Sequence, residues 1–370
     1  MAQLTALTIP KWGLAMEEGT VIDWRISVGN SVAAGADIVD IESSKIANVL
    51  EAPVTGTLVR IVAGAATVLP VGAIIGVLAD GAATEAEIDA FVADYQSRFS
   101  IEAAAIDSGP REPHSATING LSLAYDSWND QAAAKILLLH GFSGDRNNWL
   151  FNVEALSADH HVIALDLPGH GRSTKNVGDG SIETLAAHVL EYLAFLGISS
   201  INIVGHSMGA AVALRMAQVK PAAIKKIVTL GGFGFGSHAN ADFISGMLEA
   251  ERRKDMSAVL EMLFAKPDLV TRDLTDSMLA YKRTDGVQES LALLARHALS
   301  ESSGQTIAAG INKLVAPLLA IWGSEDRIVP CPQSVPSAVQ LIKLPGIGHM
   351  PQMEAAADVN RLLKDFLTKI

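Results

Sequence analysis

Two rhythms of apolar and polar residues divide this 370-residue chain. Up to about residue 80, Val, Ile, Thr and Gly come in short runs broken by turn residues. That is the pattern of short strands tightly joined in an all-β unit. The unit also repeats itself. A shift of 37 residues carries Gly19-Thr20-Val21 onto Gly56-Thr57-Leu58, Gly35-Ala36 onto Gly72-Ala73, Ile38 onto Ile75 and Ile41 onto Leu78. Two similar β halves predict a sandwich with internal two-fold pseudosymmetry. The stretch 61–79 has no charged residue, but Pro70 and the glycines Gly64, Gly72 and Gly76 interrupt it. It reads as buried strands and not as a membrane-spanning helix.

Residues 84–99 predict a short amphipathic helix with Thr84 as its N-cap and Glu87 three positions on, the capping-box spacing. The following residues, 101–117, are small and polar and are broken by Pro110 and Pro113. They read as a flexible linker, and a coil of about 16 residues spans roughly 20–25 Å on average. From about 118 the rhythm changes. Strand-like apolar runs at Ile136–Leu139, Val162–Leu165, Ile201–Val204, Ile227–Leu230, Leu318–Ile321 and Val339–Leu344 alternate with helix-length segments. This alternation implies a mostly parallel sheet with helices on both faces. No such run occurs between Gly236 and Ser303, where helical patterns at 241–254, 257–264 and 289–299 predict an inserted cap. The expected organisation is a β unit over 1–80, a helix and flexible linker over 81–116, and an α/β unit over 117–370 with its cap at about 237–303.

Chemistry enters where these elements end. The strand run at 201–204 leads into Gly205-His206-Ser207-Met208-Gly209 and then a helical run to Gln218. Strand, Gly-x-Ser-x-Gly and helix together make a nucleophile elbow, in which the serine hydroxyl stands exposed above a sheet. A serine hydroxyl needs a base, and the base needs an orienter. The chain order of α/β-hydrolases is serine, acid, histidine. Asp326 and His349 each follow a late strand run and take these places, with Glu325 as the competing acid. Among the ten histidines, His206 reads as structural, and His188 and His297 fall in helical patterns. The loop Leu139-His140-Gly141-Phe142 brings the Phe142 amide to face that of Met208 as a two-donor oxyanion hole. Asp166 to Ser173 reads as a stabilising loop, and no cluster has metal-ligand spacing. In the β unit, Glu42-Ser43-Ser44-Lys45-Ile46 lies where the first half passes into the second. A hairpin tip there displays Lys45 for amide attachment of a long cofactor.

Charge and composition narrow the partners. A formal net charge of −12 argues against nucleic acid, whose phosphates require a basic surface. A single cysteine, Cys331, permits no internal disulfide, and the N-terminus lacks the order of a signal peptide. A cytoplasmic protein that engages no membrane is the expectation.

Two resemblances add to this reading. Pro10-x-x-Gly13-x-x-Met16-x-Glu18-Gly19, Trp24, Glu42-Ser43-Ser44-Lys45 and Glu51-Ala52-Pro53-x-x-Gly56 resemble the lipoyl domains of 2-oxo-acid-dehydrogenase-type complexes. Lys45 takes the place of the lipoylated lysine. Biotin carriers share the fold but flank their lysine with methionine, whereas Ser44 and Ile46 stand here. The family's usual acid immediately before the lysine is replaced by Ser44. From Pro10 to Met353 the chain is similar to the dihydrolipoamide acetyltransferase components of bacterial acetoin-cleaving (acetoin dehydrogenase) systems. That resemblance implies lipoate on Lys45, an acetyl group as cargo and coenzyme A as acceptor. It implies two partners as well: a thiamine-diphosphate-dependent component and a dihydrolipoamide dehydrogenase. The His-x-x-x-Asp-Gly site and small docking domain of typical acyltransferase components are absent from the sequence, leaving the 84–99 helix as the expected docking element. A serine hydrolase of esters or C–C bonds with an accessory lipoyl domain, and a non-catalytic carrier module, are the rival readings. Attack by Ser207 and direct attack by the coenzyme A thiol are both compatible with the residues.

Overall fold

The computed structural model describes residues 4–10, 18–42, 47–106, 113–236 and 238–368, which group into two units, Met1–Arg111 and Glu112–Ile370. Lys45, Gly13, Met16 and Pro110 lie outside the described residues.

The first unit has strands β1 (Leu4–Thr8), β2 (Glu18–Trp24), β3 (Ser31–Val32), β4 (Asp37–Glu42), β5 (Ala47–Glu51), β6 (Gly56–Ile61), β7 (Thr67–Pro70) and β8 (Ile74–Ala79). They form two antiparallel four-stranded sheets, β1-β8-β6-β3 and β5-β4-β2-β7. The sequence repeat is visible in this topology. β2, β3 and β4 of the first half correspond to β6, β7 and β8 of the second, and β5 and β1 sit at equivalent edges. Apolar residues of both halves, among them Val21, Ile38, Ile41, Leu58, Ile75 and Leu78, share one core. Trp24 ties the sheets together: its Nε1 donates to the Ala63 carbonyl at 2.9 Å, and a Cβ on Gly76 would meet its ring at 2.8 Å. β4 and β5 pair directly up to Glu42 and Ala47, the two residues that flank 43–46.

Helix α1 (Glu85–Ile106) departs from the expectation in two ways. It continues beyond 99, because Ile101-Glu-Ala-Ala-Ala-Ile106, though small like a linker, is made largely of helix-favouring residues. The linker is shorter at its other end too, since His114–Ile118 is a strand. The start of the helix also has its own packing partner. Ile88 is buried, Arg60 pairs with Glu85 and Asp89, and the Tyr95 hydroxyl donates to the Gly72 carbonyl at 3.0 Å. That face lies against β8. Thr84 and Glu87 exchange the hydrogen bonds of a capping box.

The second unit is an eight-stranded sheet of order β16-β15-β14-β13-β11-β12-β10-β9. Its strands are β9 (His114–Ile118), β10 (Leu121–Trp128), β11 (Lys135–Leu139), β12 (His161–Leu165), β13 (Ile201–His206), β14 (Ile224–Leu230), β15 (Leu318–Gly323) and β16 (Val339–Leu344). β11 to β16 pair in parallel, whereas β9 and β10 form an antiparallel edge that the sequence pattern did not reveal. Alternation builds two cores. Leu137, Leu139, Leu318, Ala320 and Trp322 face one layer, and Ile136, Leu138, Leu319 and Ile321 face the other. The helices α2 (Val153–Ser157), α3 (Ile182–Phe195), α4 (Met208–Val219), α10 (Pro351–Glu354) and α11 (Ala356–Thr368) connect or follow the strands. Between β14 and β15 lie α5 (Ala241–Glu249), α6 (Arg253–Glu261), α7 (Arg272–Lys282), α8 (Val287–His297) and α9 (Glu301–Ile311). α9 packs on α4, so the cap proper is α5 to α8. No helix among the described residues is long and apolar enough to cross a membrane.

Candidate active site

β13 ends at His206 and α4 begins at Met208, leaving Ser207 alone in the turn at φ 52° and ψ −117°. Such a backbone costs on the order of 1–3 kcal/mol for a side-chain-bearing residue, and the surroundings enforce it. A Cβ on Gly205 would stand 2.5 Å from the Gly209 carbonyl oxygen, and one on Gly209 only 2.3 Å from that of Leu139. These contacts are why the elbow needs glycine on both sides of the serine. The Ser207 amide donates to Leu230 at 3.0 Å, which pins the turn to the end of β14.

The acid and the base meet beside that point. His349 Nδ1 lies 2.8 Å from Asp326 Oδ2, with both side chains almost wholly buried. Asp326 Oδ1 accepts the amides of Ile328 and Val329, each at 2.9 Å, so both carboxylate oxygens are engaged. Its neighbour Glu325 is exposed. With Nδ1 held by Asp326, Nε2 is the nitrogen free to act as base. Among the described residues no hydrogen bond joins it to the Ser207 hydroxyl. Catalytic hydrogen bonds are often long in an unliganded site and tighten around substrate.

Opposite the serine, the loop after β11 turns at Ser143, φ 60°. The Ser143 amide donates to His170 Nε2 at 3.0 Å, but the amides of Phe142 and Met208 have no acceptor within the described protein. Two unpaired N–H groups near one turn can hold developing negative charge. Three buried imidazoles brace this floor. His140 Nε2 accepts the Leu167 amide at 2.9 Å, His170 Nδ1 faces the Pro168 carbonyl at 3.1 Å, and His206 Nε2 faces the His349 carbonyl at 2.8 Å. Burial pushes the pKa of each below the usual histidine value, and His349 beside His206 adds to that shift. Neutral, each acts as a fixed strut. Asp166 takes the Arg146 guanidinium and the Arg172 amide and so locks the loop 166–173.

Three contributors were not legible as site residues. Gly231 is the spacer at the end of β14, where a Cβ would come within 3.0 Å of both Asp326 Oδ2 and His349 Nδ1. His206 stands with its ring 4.7 Å from that of His349, and Glu354 accepts amides from both flanks of His349. Only the Gly-x-Ser-x-Gly context hinted at any of them. No group of metal-binding side chains occurs among the described residues.

For the carrier position, the structure provides the flanks. Glu42 and Ala47 are a paired rung of β4 and β5, and Lys45 belongs to the four residues between them, outside the described set.

Comparison with known proteins gives two family matches: the alpha/beta hydrolase fold over residues 134–356 and the biotin-requiring enzyme (biotin/lipoyl) family over 5–78. The chain is 39% identical over 380 residues to the dihydrolipoyllysine-residue acetyltransferase component of the acetoin cleaving system of Pseudomonas putida, covering 100% of each. It is 38% identical over 372 residues to the corresponding component of Cupriavidus necator, covering 98% of this chain and 96% of that one. Among solved structures, a meta-cleavage product hydrolase from Pseudomonas fluorescens superposes with a TM-score of 0.61 at 24% identity, over 68% of this chain and 96% of that one. This last likeness concerns the fold alone.

Proposed function

This chain belongs to the dihydrolipoyllysine-residue acetyltransferase components of acetoin cleaving systems, and from that membership we propose that it moves an acetyl group from S-acetyldihydrolipoyl-lysine to coenzyme A. The observation that carries the reading is the union, in one chain, of a lipoyl-type sandwich with a strained Ser207 beside a paired His349 and Asp326.

Lys45, one of the four residues between Glu42 of β4 and Ala47 of β5 in sequence, is the residue we assign to lipoate. When attached, the lipoyl group supplies the thioester that carries the acetyl cargo. The remaining work falls to the second unit. His349 Nε2 takes the Ser207 proton as Oγ attacks the thioester carbonyl. The Phe142 and Met208 amides hold the oxyanion, and Asp326 keeps the imidazole in the tautomer with Nδ1 protonated. The imidazolium returns its proton to the departing thiolate. His349 then takes the proton of the coenzyme A thiol as its sulfur attacks the acetyl-Ser207 carbonyl, and returns that proton to the Ser207 oxygen as the serine leaves. Transfer rather than hydrolysis requires that water be excluded, and we assign that role to the cap, α5 to α8. Tethering presents the cargo at an effective concentration of roughly millimolar.

The partners that fit this cycle are a thiamine-diphosphate-dependent component to load the arm and a dihydrolipoamide dehydrogenase to reoxidise it. We place the protein in the cytoplasm, where coenzyme A and these partners act. The test is to supply S-acetyldihydrolipoamide with and without coenzyme A and to follow both products. Acetyl-coenzyme A as the main product supports the transferase. Release of acetate at a rate indifferent to coenzyme A overturns it in favour of a hydrolase.

A further inference from the structure

The loop that carries His349 is held very differently from the residue it pairs with. Asp326 is fixed by its own turn, through the amides two and three residues on. His349, whose carbonyl accepts from His206 Nε2 and whose Nδ1 is held by Asp326, is tied to the cap as well. Its amide donates to the Leu263 carbonyl at 2.8 Å, just beyond α6. Glu354, at the end of α10, then closes a clamp. Its Oε1 accepts the Gly348 amide at 2.9 Å and the Met350 amide at 3.3 Å, one on each flank of the histidine, while its Oε2 accepts the Ala265 amide at 2.9 Å. The Arg327 guanidinium adds a bond to the Phe264 carbonyl at 3.0 Å.

Packing leaves this loop no independent freedom. A Cβ on Gly348 would stand 2.6 Å from the Ala265 nitrogen, and one on Gly323 2.1 Å from the Gly348 carbonyl oxygen. The base loop is therefore sandwiched between the acid turn and the cap segment Leu263–Ala265. A carboxylate is an acceptor on both oxygens, which is why one side chain can bind amides in two directions with charge-assisted hydrogen bonds.

We propose that Glu354 is a positioning residue that couples the cap to the base, so that the seating of Leu263–Ala265 sets the distance of the His349 imidazole from Ser207. The proposal rests on the reading of Ser207, His349 and Asp326 as the reacting set.

Glu354→Gln keeps the shape of the side chain but turns an NH2 toward one group of amides, so it breaks one arm of the clamp. In the full-length chain, the rate at which a fluorophosphonate probe labels Ser207 reads the base without needing either natural substrate. The expected result is a fall of about 10- to 100-fold in the maximal labelling rate, as for a misplacement of about 1 Å, with the probe's half-saturating concentration unchanged. The pH at which labelling is half-maximal should shift as well, which a merely structural residue would not cause. Arg327→Ala, which loosens the same cap segment, should slow labelling in the same direction by a smaller factor. A folded Glu354→Gln protein with the wild-type rate and pH profile overturns the proposal. If that variant does not fold, an unchanged rate in Arg327→Ala overturns it instead. Failure of the wild type to be labelled at Ser207 would remove the catalytic reading itself, a separate outcome from equal labelling of wild type and variants.

Discussion

The elbow around Ser207 and the rung between Glu42 and Ala47 are the two places where this chain would handle the same acyl group, and they are built on opposite principles. At the elbow every neighbour is prescribed. Two glycines admit no side chain, Asp326 has both oxygens engaged, and three neutral imidazoles hold the surrounding loops. At the rung, β4 pairs with β5 up to Glu42 and Ala47. Bond-making depends on orientation to within fractions of an ångström, whereas a carrier depends on reach. Changes at the first place should therefore act on chemistry, and changes at the second on delivery.

The largest effect that would sharpen this contrast is Ser207→Ala. With free S-acetyldihydrolipoamide as donor, acetyl-coenzyme A formation should fall by about 10⁴-fold or more, because the nucleophile acts as a unit with its base. Near wild-type turnover would erase the distinction. Lys45→Ala should do the reverse. Intact mass should lose the lipoyl increment and transfer through the assembled system should fall by roughly 10²–10³-fold at micromolar donor, while transfer from free donor is retained. A loss of both activities would show that the rung is not merely a carrier.

Protons separate the two units more gently. His140, His170 and His206 are held below the ordinary histidine value of 6.5 by burial. Below that pH the unfolded chain takes up protons that the folded chain refuses. The stability they contribute is complete above about pH 6.5 and declines as pH falls, by up to about 1.4 kcal/mol per pH unit for each. Calorimetry from pH 7.5 to pH 5 should show the melting temperature of the second unit dropping. The first unit, which has no histidine, should hold its transition. The smallest effect is expected from Thr84→Ala. Loss of the capping box should speed amide exchange at the start of α1 and leave transfer from free donor untouched.

The same contrast explains what could be read from sequence. β11 and β15 were legible because strands buried on both faces appear as unbroken apolar runs, as in Ile136-Leu-Leu-Leu139. β9 was not, because His114-Ser-Ala-Thr-Ile118 is a half-exposed edge whose pairing with β10 supplies what its composition lacks. The end of α1 was hidden by small residues that suit a helix as well as a linker. Ser207, Asp326 and His349 could be named because each lies in the turn or loop after a strand. Glu354 could not, since its partner Ala265 lies 89 residues away and only the folded cap brings them together. Gly231 and His206 act by spacing and by a backbone bond, which leave no pattern in a single chain.

The account stands most directly on one single-turnover measurement. The lipoylated full-length chain, acetylated on its own arm, is mixed with coenzyme A and quenched over time, in wild-type and Ser207→Ala forms. The account predicts rapid acetyl-coenzyme A formation by the wild type, with an acetyl group passing through the Ser207 peptide, and an arm that stays loaded in the variant. Equal rates of unloading in the two proteins would contradict it.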